Sequence, residues 1–343
     1  MRITNLRAAV IGAGVAGLSA ARALRDRGNE VVVFERLPVA GGRVATRIAG
    51  NIELPAAGSV DLSFDHGAQY FTVRDTRFSE VVAYWQRDRI VAPWNARIVC
   101  FDGEGWEEVP DGTARYVGVP GMQAIAARLA EGLDIRFGSR IESLSTLTGF
   151  DRVIVAVPAD QAVPLLEGAP ALAARAAAVK MLPCWAVMAA FEDRVRARFD
   201  AAFVSGSPLG WVARNSSKPA SPKRSEGGPA RGDAGAARDR VDTWVLHATT
   251  AWSAAHADDP PDAVAPFLLE AFHDLVHAGL PRVFHFAAHR WRHAIADPGL
   301  AAGAMHDRAR GISVCGDWCS GPRIENAFLS GLEAATSPDV VIS

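Results

Sequence analysis

Three glycines near the N-terminus have the spacing of a dinucleotide-binding loop. Gly12, Gly14 and Gly17 form a G-x-G-x-x-G pattern directly after an apolar strand and directly before an amphipathic helix. Gly12 permits the tight turn, Gly14 leaves room for a pyrophosphate to approach the backbone, and Gly17 lets the helix lie close to the strand. The helix N-terminus, with Val15 and Ala16, supplies N–H donors to phosphates. The pattern predicts a dinucleotide site.

A carboxylate stands where such a site holds the ribose. Glu35 follows a second strand, Glu30–Phe34, at roughly the 20-residue distance expected for a carboxylate that binds ribose hydroxyls. We assign the next residue, Arg36, to the same site. The alternative is a glycine-rich turn in an α/β protein that binds nothing. The strand, helix and acid together favour the dinucleotide site.

Composition and charge restrict the kinds of partner. The chain has 343 residues, 49% of them hydrophobic, so it can bury a large core and suggests two domains. A formal net charge of −2 provides no basic field for nucleic acid or an acidic membrane surface. No segment reaches the roughly 18 apolar residues of a transmembrane helix, and the N-terminal apolar stretch lacks a cleavage site. We expect a cytoplasmic protein.

Cysteine and histidine positions do not indicate a metal site. The four cysteines are too few and too scattered for a disulfide framework or a zinc site. His273 and His277 lie one helical turn apart, but no third ligand accompanies them. We therefore expect no bound metal.

The pattern of strands and helices predicts an α/β fold with a discontinuous cofactor domain. We expect a Rossmann-like domain with an inserted α+β substrate domain on a mostly antiparallel sheet. Residues 63–71 read as a strand, and residues 90–117 as antiparallel hairpins. Residues 216–240, dense in Ser, Pro, Gly, Arg and Lys, read as a disordered surface loop. The cofactor domain comprises residues 1–75, 118–165 and 305–343, and the substrate domain residues 76–117 and 166–304.

A second glycine pair specifies the dinucleotide. Gly41, Gly42 and Arg43 follow shortly after Glu35, and this arrangement resembles the flavin-binding amine oxidase superfamily. The resemblance implies FAD, with this segment wrapping the pyrophosphate and Arg43 countering its charge. Plain Rossmann enzymes that use NAD lack the extra Gly-Gly-Arg.

Further blocks resemble the renalase-type branch of that superfamily. They extend from the N-terminal region to the last helix. The resemblance implies noncovalent FAD. It also implies oxidation of the 2- and 6-dihydro isomers of NAD(P)H to NAD(P)⁺, by hydride transfer to flavin N5. O₂ or another acceptor would then take the electrons. The blocks are residues 65–72 with 74–78, 115–122, 211–219, 289–291, and 316–319 through 331.

The resemblance also places residues against the flavin and its substrate. Gly67 and Ala68 are expected to lie against the isoalloxazine, since small residues permit close approach. Gln69 and Tyr70 are expected at the same face. His66 reads either as a catalytic base or as a structural histidine, and the structural role is favoured because a dihydropyridine already carries a transferable hydride.

The C-terminal segment is expected to complete the site. Asp317, after Gly316, stands where this superfamily's acid binds the ribityl chain. The following helix, with Asn326 and Ala327, would direct its N-terminus at the N1/C2=O edge of the flavin. Ile141 is a further expected cofactor contact.

Two departures from amine oxidases favour a dinucleotide substrate. Those enzymes place a lysine near flavin N5, where this chain has Pro183 or Cys184. They also place an aromatic ring just before the last helix, where this chain has Arg323, which would repel a cationic amine and suit a phosphate. Amine or polyamine oxidation remains the main alternative, and a flavin-binding sensor without catalysis is the second.

Overall fold

The computed structural model describes residues 6–54, 58–109, 112–219 and 241–336. Its helices and strands are as follows. The helices are α1 Val15–Asp26, α2 Thr76–Arg87, α3 Gln123–Ala130, α4 Ala159–Leu165, α5 Pro170–Ala177, α6 Thr250–Ala255, α7 Pro261–Val276 and α8 Ile324–Thr336. The strands are β1 Arg7–Ile11, β2 Glu30–Phe34, β3 Thr46–Leu54, β4 Gly58–Asp65, β5 Val91–Pro93, β6 Ile98–Phe101, β7 Trp106–Glu108, β8 Tyr116–Gly118, β9 Asp134–Arg136, β10 Arg152–Val155, β11 Met181–Phe191, β12 Ala201–Val204, β13 Leu209–Arg214, β14 Asp242–Ala248, β15 Val283–Ala296, β16 Met305–Asp307 and β17 Ile312–Val314.

A six-stranded sheet carries the glycine loop. Its strand order is β16-β17-β10-β1-β2-β9, and all neighbours are parallel except β16 and β17. The central strands are short apolar runs with no polar face, as expected for a parallel sheet covered on both sides. The strands come from the beginning, middle and end of the chain. The predicted Rossmann-like fold is confirmed.

A seven-stranded sheet forms the second layer of the molecule. Its order is β15-β11-β14-β13-β12-β6-β7, and it is antiparallel except where β6 runs parallel to β12. Successive side chains of β11 lie on opposite faces of the sheet. Trp185 and Phe191 pack in a core with α7, whereas Met188 packs with Leu62 and Phe64 of β4. The prediction of a mostly antiparallel second sheet is confirmed.

Two local predictions require correction. The strand expected over residues 63–71 ends at Asp65, and residues 66–71 form a loop. The hairpins expected over residues 90–117 are only partly local, since β5 pairs with β8, and β6 pairs with both β7 and β12. These pairings depend on strands that are distant in sequence, and a local alternation of apolar and polar residues does not identify such partners.

The first residues of the expected 216–240 loop are ordered and packed. Asn215–Ser217 form one turn of 3₁₀ helix, and the Lys218 side chain is buried. Polar composition predicted a disordered loop, but polar groups of the interior, such as the Asp65 carboxylate that pairs with Lys218, hold these residues in place. Residues 220–240 lie outside the described residues. None of the helices in the described ranges combines the length and apolar character needed to cross a membrane.

Helix α8 brings the C-terminal region against α1. The Ser19 hydroxyl donates to the Phe328 carbonyl over 3.0 Å, and Gly331 faces the Ala16 carbonyl and the Ser19 hydroxyl. A methyl group on Gly331 would overlap both of these atoms. The glycine therefore sets the close approach of the two helices that flank the glycine loop.

We expect Gly331→Ala to lower the free energy of unfolding by about 1–3 kcal/mol, because the Ala16 backbone cannot move aside without shifting α1. Denaturant unfolding measures the change. Gly168→Ala is the control, since a methyl group there meets nothing within 4 Å. Equal midpoints for the two variants would contradict this account of the helix contact.

Candidate functional site

The glycine loop presents free amides and open space at the carboxyl end of β1. The Gly12 amide donates to the Phe34 carbonyl over 2.8 Å, and Gly12 has φ of 102°, which favours glycine. The first intrahelical bond of α1 runs from Leu18 N to Gly14 O (2.9 Å), so the amides of the preceding helical residues have no carbonyl within the helix to bind. A methyl group on Gly14 would meet nothing within 4 Å. The loop can accept a phosphate group.

The Glu35 carboxylate is fixed beside this loop. Its Oε2 accepts a hydrogen bond from the Ala13 amide (2.7 Å), and its Oε1 accepts one from the Leu37 amide (2.9 Å). Each oxygen keeps a further lone pair for another donor, such as a hydroxyl group. The neighbouring Arg36 is exposed. The geometry is compatible with the predicted ribose contact for Glu35.

The second glycine pair packs against the first loop. The Gly41 amide donates to the Ala13 carbonyl over 2.9 Å, and Gly42 lies beside the Gly14 backbone. Both positions have a positive φ that favours glycine, 126° at Gly41 and 55° at Gly42. The two glycine segments that the sequence separates by more than twenty residues thus form one surface.

Arg43 joins the N-terminal and C-terminal parts of the site. Its guanidinium binds both carboxylate oxygens of Asp317, at 2.8 and 2.5 Å, and donates to the Ala294 carbonyl at 3.0 Å. A bidentate pair of this kind fixes direction as well as distance. Asp317 is buried, and Arg43 is about one-third exposed. The two side chains are therefore oriented by each other, and their separate contacts with a cofactor stay predictions.

The segment after Asp317 is held by α8. The Asn326 amide donates to the carbonyls of Ser320 and Gly321 at 3.2 and 3.1 Å. The Gly316 amide donates to the Ser330 hydroxyl at 3.0 Å. These bonds tie the turn at Asp317 to the first half of the helix. The helix that was predicted to contain Asn326 and Ala327 is confirmed, and it begins at Ile324.

Four other predicted cofactor residues contribute to packing. Val15 and Ala16 are buried in the first turn of α1. Ile141 is half-buried and packs against the apolar residues beside β1 and β10. Ala327 belongs to the first turn of α8, where its amide donates to the Arg323 carbonyl.

The loop of residues 66–71 lies against Arg43. The Ala68 amide donates to the Arg43 carbonyl over 2.8 Å, and a methyl group on Gly67 would overlap that carbonyl oxygen. At its other end, the Phe71 amide donates to the Tyr116 carbonyl at 2.9 Å. The structure shows these small residues in close contact with the backbone at Arg43, and their predicted contact with the isoalloxazine stays a prediction.

His66 is a buried, neutral histidine. Its ring packs at 4.9 Å from Trp291 and 5.0 Å from His289, and its carbonyl accepts hydrogen bonds from Trp291 and His247. Burial, with help from the nearby His289 and Arg47, lowers the pKa of His66 to about 4. Within the described parts of the chain, its Nδ1 has no hydrogen-bond partner. These observations support the structural role over that of a base at neutral pH.

Tyr70 belongs to an aromatic cluster at the end of this loop. Its ring centroid lies 6.2 Å from that of Trp94 and 5.5 Å from that of Trp211. The Arg115 guanidinium lies over the Tyr70 ring at 5.4 Å. Tyr70 itself is half-buried, so part of the ring remains accessible. Trp94 and Trp211 are buried, so Tyr70 is the ring of this cluster that stays partly exposed, next to the Arg115 guanidinium.

Lys218 is the residue that the sequence reasoning missed. Its ammonium group binds the Asp65 carboxylate at 3.0 Å and the Gln69 amide oxygen at 3.2 Å, and it lies over the Trp94 ring at 5.7 Å. Burial lowers its pKa, while Asp65 opposes that shift. The sequence signal for Lys218 was that it is one of only three lysines in the chain and lies within the 211–219 block.

Arg323 does not present an uncompensated charge. Its guanidinium donates to Glu325 at 2.7 Å and to the Thr72 hydroxyl at 2.9 Å. The buried Glu325 carboxylate also accepts hydrogen bonds from the amides of Arg74 and Asp75. The expectation that Arg323 by itself repels an amine is therefore wrong, because Glu325 balances its charge. Desolvation lowers the pKa of Arg323, and Glu325 opposes that effect.

Models of two protein families match the chain. The model of an NAD(P)-binding Rossmann-like domain matches residues 10–85. The model of flavin-containing amine oxidoreductases matches residues 107–337, more than half of the chain. The chain belongs to the flavin-containing amine oxidoreductase family. This membership implies an oxidoreductase with FAD as its cofactor.

The fold of this flavin-containing oxidoreductase is shared by solved structures of low sequence identity. An oxidoreductase from Methanosarcina mazei has a TM-score of 0.65 at 13% identity, covering 97% of this chain and 100% of that one. Cyclohexylamine oxidase from Brevibacterium oxydans has 0.66 at 13%, covering 97% and 98%. A reduced UDP-galactopyranose mutase has 0.70 at 10%, covering 97% and 93%. These similarities establish the fold.

One curated relative is similar over a short segment. The beta subunit of the NADP(+)-dependent formate dehydrogenase of Moorella thermoacetica is 60% identical over 42 residues. The match covers 12% of this chain and 6% of that protein, so the chain spans only a small fraction of the relative's length.

The described residues fit FAD. The open surface at Gly14, the amides at the start of α1 and the fixed Glu35 carboxylate are the groups that a pyrophosphate and a ribose require. Asp317 and the 66–71 loop meet at Arg43, next to the second glycine pair. These residues would hold the cofactor between the two ends of the chain.

The buried histidines predict a stability that falls in acid. The unfolded chain takes up a proton on each ring near pH 6.5, whereas burial holds the pKa of His66 and of His247 at about 4 in the folded protein. Between these values the unfolded state binds more protons, so the free energy of unfolding decreases as the pH falls. Each ring contributes about 1.4 kcal/mol per pH unit.

We expect His247→Gln to reduce this slope by the contribution of one proton, measured by urea unfolding between pH 5 and 6.5. The apolar control Leu62→Ala should lower stability at every pH and leave the slope unchanged. Identical slopes for His247→Gln and the parent would contradict the assignment of a depressed pKa to His247.

Proposed function

We propose that this protein binds FAD noncovalently and oxidises the 2- and 6-dihydro isomers of NAD(P)H to NAD(P)⁺. O₂ or another small acceptor then takes the electrons. FAD supplies the two-electron acceptor for this reaction. The protein supplies the binding surface, the orientation of the dihydropyridine and the exclusion of water. The family membership supports the redox chemistry, and the substrate is inferred from the charges around Tyr70.

The observation that carries the proposal is the occupation of two aromatic faces by the protein's own cations. Arg115 lies over Tyr70 at 5.4 Å, and Lys218 lies over Trp94 at 5.7 Å. Aromatic faces are the surfaces that attract a substrate ammonium group. Because the protein's own cations already lie against these faces, the faces are not available to the ammonium group of a protonated amine. A dinucleotide, which carries an anionic pyrophosphate and an uncharged dihydropyridine ring, does not depend on a free aromatic face for a cation.

The protonation states support the same reaction. His66 and His247 remain neutral at pH 7, since burial lowers the pKa of both rings to about 4. Their hydrogen-bonding partners are backbone or structural groups. Hydride loss from a dihydropyridine restores aromaticity without removal of a proton, so this site needs no strong base. We therefore assign positioning, and not proton transfer, to these histidines.

The cysteines support noncovalent attachment of the cofactor. Covalent linkage through sulfur requires a thiolate. Burial raises the pKa of the Cys184 and Cys319 thiols to about 12, and that of Cys315 well above its ordinary value. Cys100 is exposed on β6, in the other sheet from the glycine loop.

Anaerobic mixing of the purified flavoprotein with candidate donors tests the function. We expect the 2- and 6-dihydro isomers of NADH or NADPH to abolish the visible flavin absorbance within one turnover, while cyclohexylamine and putrescine leave it unchanged. Reduction by amines alone would establish amine oxidation instead. An absorbance that no donor of either class changes would indicate a binding protein without catalysis.

The charge at the aromatic cluster predicts the effect of Arg115→Gln. We expect the KM for a dihydronicotinamide dinucleotide to rise about tenfold or more, because a cation that attracts the anionic substrate is removed. Steady-state kinetics at two salt concentrations measures the change. The matched control is Arg97→Gln, whose exposed guanidinium pairs with Glu108 at 2.9 Å. An equal KM for both variants would remove the charge argument.

A further inference from the structure

Lys218 reaches the 66–71 loop because the turn before it docks on β4. The Asn215 side-chain amide donates to the Ser63 carbonyl at 2.9 Å, and its oxygen accepts a hydrogen bond from the Asp65 amide at 3.2 Å. The Trp94 indole N–H donates to the Ser217 hydroxyl at 3.0 Å. These contacts carry the chain into the interior at Lys218, whose side chain is 6% exposed.

The buried ammonium group has one charged partner and one neutral partner. Asp65 offers its Oδ2 to Lys218 at 3.0 Å, while its Oδ1 accepts hydrogen bonds from the Thr46 hydroxyl (2.6 Å) and the Met122 amide (2.8 Å). Both carboxylate oxygens are thus satisfied, as a buried charge requires. The Gln69 oxygen accepts a second bond from Lys218, at 3.2 Å.

The charge determines which way the Gln69 amide faces. An ammonium group can only donate, so the oxygen end of the Gln69 amide lies toward Lys218. The nitrogen end then donates to the Asp65 carbonyl. Gln69 is buried, and both ends of its amide are engaged. The side chain therefore ties the middle of the 66–71 loop to the Asp65–Lys218 pair.

We propose that Lys218 is a positioning residue of the flavin site: its ammonium group, paired with Asp65, fixes Gln69 and through it the backbone of residues 67–70 that lies against the cofactor. This inference rests on the proposed place of FAD beside that loop. Lys218 contributes its charge and its donors at this position. An apolar side chain of equal length would leave the Gln69 amide oxygen without a hydrogen-bond donor and the Asp65 carboxylate without a counter-ion.

The test is the rate at which the holoprotein releases FAD, followed as the rise in flavin fluorescence after dilution. We expect release from Lys218→Met to be about tenfold faster or more, as for the loss of a hydrogen bond to a charged group. Lys218→Arg keeps the charge and should lie closer to the parent. FAD release from Gln69→Leu should be as fast as from Lys218→Met. The double variant Gln69→Leu/Lys218→Met should release FAD no faster than either single variant.

Two further variants separate positioning from a general loss of stability. Asp65→Asn/Lys218→Met removes both charges, so it folds without a buried unpaired carboxylate, and we expect it still to release FAD faster than the parent. Arg214→Met removes a buried cation that pairs with Asp242 and lies over the Trp244 ring at 4.7 Å. It should lower the unfolding midpoint and leave FAD release unchanged.

The outcomes distinguish this inference from the proposed function. Parent-like FAD release from Lys218→Met, or from the charge-free double variant, overturns the role of Lys218. Strictly multiplicative effects of Lys218→Met and Gln69→Leu overturn the route through Gln69. A holoprotein that dihydronicotinamide isomers do not reduce refutes the proposed function, while faster FAD release from Lys218→Met still supports the positioning role.

Discussion

Three separate parts of the chain meet at Arg43. Its carbonyl receives the amide of Ala68, and its guanidinium holds both oxygens of Asp317 and the Ala294 carbonyl. The glycine pair before it packs on the N-terminal loop. A shift of this residue would therefore move the 66–71 loop, the turn before α8 and the end of β15 together. The cofactor surface depends on this junction because the residues that form the surface come from several separate segments of the chain.

Charged side chains around the junction are balanced in pairs. Arg43 pairs with Asp317, Lys218 with Asp65, and Arg323 with Glu325. The first two pairs each join segments that are distant in sequence, and Glu325 of the third pair binds the backbone amides of Arg74 and Asp75. We infer that these pairs fix the geometry of the site more than they add to its stability. At the aromatic cluster, Arg115 lies over the Tyr70 ring at 5.4 Å. The proposed preference for an anionic dinucleotide over an amine follows from that arrangement.

Sequence patterns predicted the parts of the site that depend on backbone conformation. The glycine spacing, the strand before it and Glu35 are local features, since turn geometry and helix termini follow from neighbouring residues. The order of strands in the second sheet, and the pairing of β6 with β12, could not be predicted because they join distant segments. Arg323 was misjudged although Glu325 lies only two residues away, because the orientation of that carboxylate depends on the distant amides of Arg74 and Asp75.

The amino-acid sequence by itself determined a dinucleotide loop, its accompanying acid and the family that these motifs indicate, because glycines and short apolar runs act through local conformation. Only the tertiary structure decided which charges are neutralised and which side chains are buried. Lys218, read from composition as part of a polar loop, is a buried cation because Asp65 and Gln69 approach it from β4 and the following loop. Electrostatics at a site depends on neighbours in space, and chain order does not reveal them.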